Sequence, residues 1–197
     1  MSSQPSQDVP PLTSTGTLSS LVRTLFNRYA RVLRNPGLRV FSEEKTRASE
    51  PLVLVQVLAL ACFIALTIAL SQPSFTLVTP IFYSVACIFV IGGFFLTEYV
   101  SYLTARAFRG QGSFVQQCYL SLLISLPLTV IYFFVARIPF VGDRLVWLLD
   151  VYGFVLYVIM IRAVHNLDLW RALAATITPF VVSMALIGTL IFLGIVL

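Results

Sequence analysis

The chain has 197 residues, 58% of them hydrophobic and only 11% charged, with a net charge of +5 and a mean hydropathy of +0.93. A soluble domain carries about a quarter charged residues, and a compact soluble bundle of this length cannot hide so much apolar surface. A water-soluble enzyme is therefore excluded. The basic residues stand beside apolar stretches of bilayer-spanning length, so orientation and anionic lipid account for them and nucleic acid does not.

Residues 1–16 are mostly Ser, Pro, Thr and Gln and read as a disordered tail. No signal peptide is expected, because the first 50 residues hold no adequate unbroken apolar core ahead of a cleavage site. Residues 17–50 form an amphipathic segment. Leu18, Leu21, Val22, Leu25, Tyr29, Val32 and Leu33 recur at three- and four-residue steps, opposite Arg23, Asn27, Arg31 and Arg34. This spacing predicts a basic helix lying in the membrane interface; the competing reading packs it against the protein's own cytosolic surface. Pro36-Gly37 should end it, with one or two further turns before Pro51.

Residues 51–197 read as an all-α, polytopic transmembrane domain of five helices, at about 52–70, 80–105, 113–134, 145–164 and 172–195. The first span is uncharged, and Ala61 and Ala65 permit close helix approach. A short loop with Pro73 leads to the second span, which carries Gly92-Gly93 and then Glu98, Tyr99, Tyr102 and Arg106 on roughly one face. Ser113 should cap the third span, with Gln116 and Gln117 at headgroup depth and Pro127 placing a kink mid-span. Ser121 and Ser125 stand one turn apart. A tight turn with Pro139, Gly142 and Asp143 leads to the fourth span, which holds Asp150 two turns in and Arg162 at its far end. Asp168 should cap the fifth span, which contains Pro179.

Eleven basic residues fall on the side of the N-terminal segment and two, Arg137 and Arg144, on the other. That bias places the N-terminus in the cytosol and the C-terminus outside. The corners after Arg106-Ala107 and Arg162-Ala163 are alike, and each leads into a helix with a proline, as a duplicated hairpin or a coincidence would give.

Chemistry is sparse. His165 is the only histidine and makes no metal site by itself; it is expected to cap the fourth span. Gly110-x-Gly112 lacks the preceding strand and third glycine of a dinucleotide loop and is expected to allow a tight reversal near headgroups, with Arg106 and Arg109 within reach of anionic lipid. Cys62, Cys87 and Cys118 lie in apolar spans and read as reduced small hydrophobes. Ionisable groups inside spans call for a functional hypothesis. Glu98 is expected to pair with Arg106 or Arg162, or to bind a polar ligand; Asp150 is expected to pair with Arg137 or Arg144, or to act in its own right. The two acids lie near opposite ends of their spans and do not form a dyad. No cofactor or metal is expected.

Several of these features occur together in order. They are the basic segment with Asn35-Pro36, then Pro51, the corner Arg109-Gly110-Gln111-Gly112-Ser113-Phe114, Pro127, and the stretch 162–175 with His165, Leu169, Arg171 and Ala172. In this the chain resembles the Yip1-domain membrane proteins, in the form found in bacteria and archaea. The resemblance implies a five-helix membrane domain with a cytosolic N-terminus, in a prokaryotic plasma membrane. It implies no catalytic residue. Eukaryotic members act with small GTPases and partner membrane proteins in vesicle traffic and membrane shaping. The expected function is a non-catalytic scaffold or membrane organiser, and the alternative is a small transporter, channel or lipid-binding protein with Glu98 near an inner-face site. Expected partners are membrane lipids, anionic headgroups among them, and a second copy or another membrane protein.

Overall fold

The computed structural model describes residues 18–70 and 79–196. The tail expected at 1–16 and the loop expected around Pro73 lie outside the described residues. Helix α1 spans Leu18–Arg34, α2 Leu38–Glu44, α3 Glu50–Leu70, α4 Thr79–Ala107, α5 Phe114–Val135, α6 Gly142–His165 and α7 Leu169–Val196, with one 3-10 turn at Lys45–Arg47 between α2 and α3. Helices α3 to α7 are each long and apolar enough to cross a membrane.

Local chemistry sets the boundaries. Helix α1 stops before Pro36, and α2 restarts from Gly37 in extended conformation. Pro51 lies in the first turn of α3, where its missing N–H has no partner to lose. Ser113 caps α5 with a capping box: its hydroxyl accepts from the Gln116 N–H, and the Gln116 side chain accepts from the Ser113 N–H. Helix α6 begins at Gly142, three residues before the start expected from the apolar run. A Cβ at Gly142 would stand 2.9 Å from the Val135 carbonyl oxygen, so the tight turn from α5 needs glycine there. Asp168 caps α7 by accepting from the Arg171 N–H.

The five long helices close a ring in the order α3, α4, α7, α6, α5, each packed on two neighbours. At the end of the ring that carries α1, helix α5 also touches α4 and α1. Eight consecutive residues, Gln117 to Ile124, are accordingly buried. Small residues let the ring close: the Cys87 thiol approaches the Ala61 carbonyl between α3 and α4. Much of α4 and α7 remains exposed, including Phe89 and Met184, as lipid-facing helices require.

Helices α1 and α2 form a lid on one end of the ring. Val32 and Phe41 are fully buried there. Tyr29 donates to Gln56 of α3, Arg28 donates to the Tyr119 hydroxyl of α5, and the Tyr152 hydroxyl of α6 donates to the Leu33 carbonyl. The second half of α1 thus packs on the protein's own helices, while Arg23 and Phe26, a turn or two earlier, are exposed.

Candidate functional site

Helix α5 carries a polar stripe. Gln117, Ser121, Ser125, Thr129 and Tyr132 recur at steps of four, four, four and three, which keeps them on one slowly winding face. The stripe faces into the ring. At its lower end it meets Glu98 of α4, which is only 2% exposed. Gln117 Nε2 donates to Glu98 Oε2 at 2.8 Å and to the Glu98 carbonyl at 2.9 Å. The Ser121 hydroxyl donates to Glu98 Oε1, and the Tyr157 hydroxyl of α6 donates to the same oxygen at 3.1 Å. Three side chains from two helices therefore converge on one carboxyl group, satisfying both of its oxygens. The expected arginine partners are not used: Arg106 turns away and donates to the Gly110 carbonyl at 3.1 Å, and Arg162 is exposed at the end of α6. Both sit in the last turn of a helix and point to the corners, a full turn or more from the Glu98 level.

His165 completes the network from behind. Its Nε2 lies 2.9 Å from Gln117 Oε1. That oxygen only accepts, because the amide nitrogen is already committed to Glu98, so the network places the imidazole proton on Nε2. His165 is 1% exposed, and its Nδ1 has no partner among the described residues. The expected capping role for His165 passes to its neighbours. Asn166 takes the left-handed conformation at φ 54°, and the Leu167 N–H returns to the Arg162 carbonyl. Lys45 donates to the Ala163 carbonyl at 3.0 Å, placing a cation at the helix C-terminus. The Gln111 N–H donates to the His165 carbonyl at 3.2 Å.

The glycine corner fits onto that same helix end. The Gly110 N–H returns to the Ala105 carbonyl and the Arg109 N–H to that of Arg106, with Arg109 left-handed at φ 66°. This is a Schellman end with arginine where glycine is usual. A Cβ at Gly112 would lie 2.4 Å from Val164 Cγ1 and 2.7 Å from the Val164 carbonyl oxygen; one at Gly110 would lie 2.8 Å from His165 Cβ. The two glycines are thus required by close approach to α6. At this corner Gly110 and Gly112 are buried, while Arg106, Arg109 and Gln111 are exposed.

Above Glu98 the ring encloses a partly open groove of about 980 Å³, lined by all five long helices. Its floor is Glu98, Ser101 and Tyr157; its far mouth holds Tyr132 and Asp150; its walls include Phe63, Leu128, Phe154, Pro179 and Phe180. Gln117 and His165 lie behind the floor, outside the lining. The Tyr132 hydroxyl donates to Asp150 at 3.1 Å. Arg137, one of the expected partners of Asp150, instead stacks on the Phe133 ring and donates to the Phe133 carbonyl. Arg144 lines a separate shallow hollow with Trp147. Pro127 and Pro179 both lie inside helices, and Pro179 reaches the groove wall. One continuous groove thus touches both intramembrane acids, which the sequence placed at opposite ends of their spans.

A charged cluster joined through Arg31 lies outside the spans. Glu43 is held by Arg31 and Arg39, whose hydrogen bonds lower its carboxyl below the usual range. Burial pushes the Tyr29 hydroxyl up to about 12. The neighbouring Glu44 is buried and pairs with Arg31 at 3.5 Å and Arg47 at 3.3 Å. Among the described residues no group of three or more His, Cys, Asp or Glu is placed to hold a metal ion.

A ring of five apolar helices, a polar lid at one end and a groove between the spans define a polytopic α-helical membrane protein. The family model of the Yip1 domain matches residues 30–191, from late in α1 to near the end of α7, and the chain belongs to the Yip1-domain family. Neither a curated protein nor a solved structure matches it.

Proposed function

We propose that the protein is a non-catalytic membrane organiser whose working part is the groove, which holds one amphiphile with its apolar body against the walls and its polar end at Glu98. The observation that carries this reading is the composition of the groove: aliphatic and aromatic walls, with polar groups gathered at the floor and the mouth. Its volume lies at the upper end of the roughly 300–1,000 Å³ common for small-molecule sites, which are likewise apolar with a few placed polar groups. Binding is favoured over passage because Gln117, His165 and the glycine corner stand behind Glu98 and fill the route to the lid end. Scaffolding then follows from holding a lipid and a lid on one frame. The charge bias supports a cytosolic lid, and the resemblance to the prokaryotic form of the domain supports a prokaryotic plasma membrane.

Two experiments test this. The protein is extracted with its native lipid and the retained molecules are identified by mass spectrometry. One species at near-stoichiometric amount is expected, lost on Ser125→Phe, which fills the groove. The same species retained by folded Ser125→Phe protein would overturn the reading. For orientation, Arg137→Cys should react with an impermeant maleimide on intact cells, and Arg109→Cys only after permeabilisation; the reverse pattern would invert the topology.

A further inference from the structure

The groove has a sign. Its lining includes two carboxyl groups, Glu98 and Asp150, and no lysine, arginine or histidine. Neither acid has a cationic partner among the described residues: Glu98 accepts from an amide and two hydroxyls, and Asp150 accepts from a phenol. The Arg137 guanidinium is stacked on the Phe133 ring and donates to the Phe133 carbonyl. Neutral donors hold a carboxyl group in place without supplying the opposite charge that favours its ionised form, so in a medium of low dielectric a cation entering the groove is the partner that lets either acid ionise and pair. The walls also include the aromatic rings of Tyr132, Phe154, Tyr157 and Phe180, and the face of such a ring attracts cations. The Ser125 hydroxyl, buried on the stripe between the two acids, has no partner among the described residues, and it leaves one acceptor along the wall for a donor group.

We infer that the groove selects a cationic amphiphile, an ammonium group on an apolar body, over neutral or anionic ones. This rests on the groove being an amphiphile site at all. An ammonium at the floor pairs with Glu98 while Gln117, Ser121 and Tyr157 keep the carboxylate in place. A sulfate or phosphate alone would face a carboxylate at either end and no cation.

The test uses full-length protein in phosphatidylglycerol nanodiscs, whose lipid carries no ammonium group to compete, and four photoreactive dodecyl probes of matched tail, bearing trimethylammonium, hydroxyl, sulfate or phosphocholine heads. Labelled residues are mapped by mass spectrometry. Labelling of the groove is divided by labelling of the exposed faces of α4 and α7, which corrects for partition into the bilayer. The trimethylammonium probe is expected to exceed the sulfate probe in the groove at least tenfold, with Glu98→Gln reducing that preference at least fivefold. Equal groove labelling by both heads, or a preference unchanged in Glu98→Gln, overturns the inference while leaving the amphiphile site intact. Groove labelling by none of the probes overturns the amphiphile reading itself, and the inference with it. If Glu98→Gln does not fold, the ranking of heads on the unmodified protein decides. Phosphocholine labelling equal to trimethylammonium supports the ammonium preference and identifies membrane lipid as its source; labelling by trimethylammonium alone supports it with a free amphiphile as the source.

Discussion

Gln117 is the residue on which the buried network turns. It donates to Glu98 and accepts from His165, so one amide serves two other polar side chains. Gln117→Leu would leave both short of a partner, at a cost of about 1–3 kcal/mol for each buried group. A lowered melting temperature in detergent is the expected readout, and Gln117→Glu should not rescue it, since a second acid would face Glu98. Gly112→Ala should cost about 1–3 kcal/mol by overpacking against Val164. Gly93→Ala meets nothing within 4 Å and should be neutral or slightly stabilising; thermal unfolding of the pair gives the contrast. At this scale the sequence was half legible. Glu98 stood out because an acid inside an apolar run is costly. Its partners did not, since arginines nearby in sequence sit on helix ends that aim elsewhere. The four-residue spacing of Gln117, Ser121, Ser125 and Thr129 was present to be read, whereas Tyr157 carries no signal, tyrosine being ordinary near membrane boundaries.

Among the elements, five long apolar helices were legible, because length and apolarity are dictated by the bilayer, while α6 and α7 each begin three residues before the start expected. The lid was harder. The basic amphipathic pattern of α1 suits an interface or a protein surface equally, and only the contacts of Tyr29, Arg28 and Val32 show how its second half packs. Lys45→Met should loosen the end of α6 by removing a charged cap worth about 1 kcal/mol, seen as faster amide exchange at Leu167 and Gln111. The lid should also respond to acid. Glu43 has a lowered titration range in the folded protein, so its contribution is present above the ordinary carboxyl range and lost as pH falls through the lowered one. Exchange in α2 should rise across that window, and Glu43→Gln should abolish the pH dependence while leaving α2 exchange high throughout.

At the scale of the molecule, the order of helices around the ring was not legible. Every span is apolar on most sides, and with lipid as solvent no hydrophobic preference says which helix faces which. That order is set by close approach and a few polar pairings, which involve residues far apart in the chain. Removing residues 1–34 tests how far the lid holds the whole. It strips the partners of Gln56, Tyr119 and Tyr152, a loss of about 3 kcal/mol at ~1 kcal/mol per hydrogen bond, and should lower the melting temperature by roughly 6–12 °C.

The lid's contacts also impose an order on biogenesis. Arg28, Lys45 and Leu33 reach partners that lie 91, 118 and 119 positions later in the chain. The segment made first therefore finds its seat only after α6 has been inserted. Until then Val32 and Phe41, fully buried in the finished fold, lack their cover, and exposed apolar surface of that kind invites chaperones and proteases. Nascent chains arrested before Ala163 should be cleaved at the lid by limited proteolysis, and those released after α7 should resist.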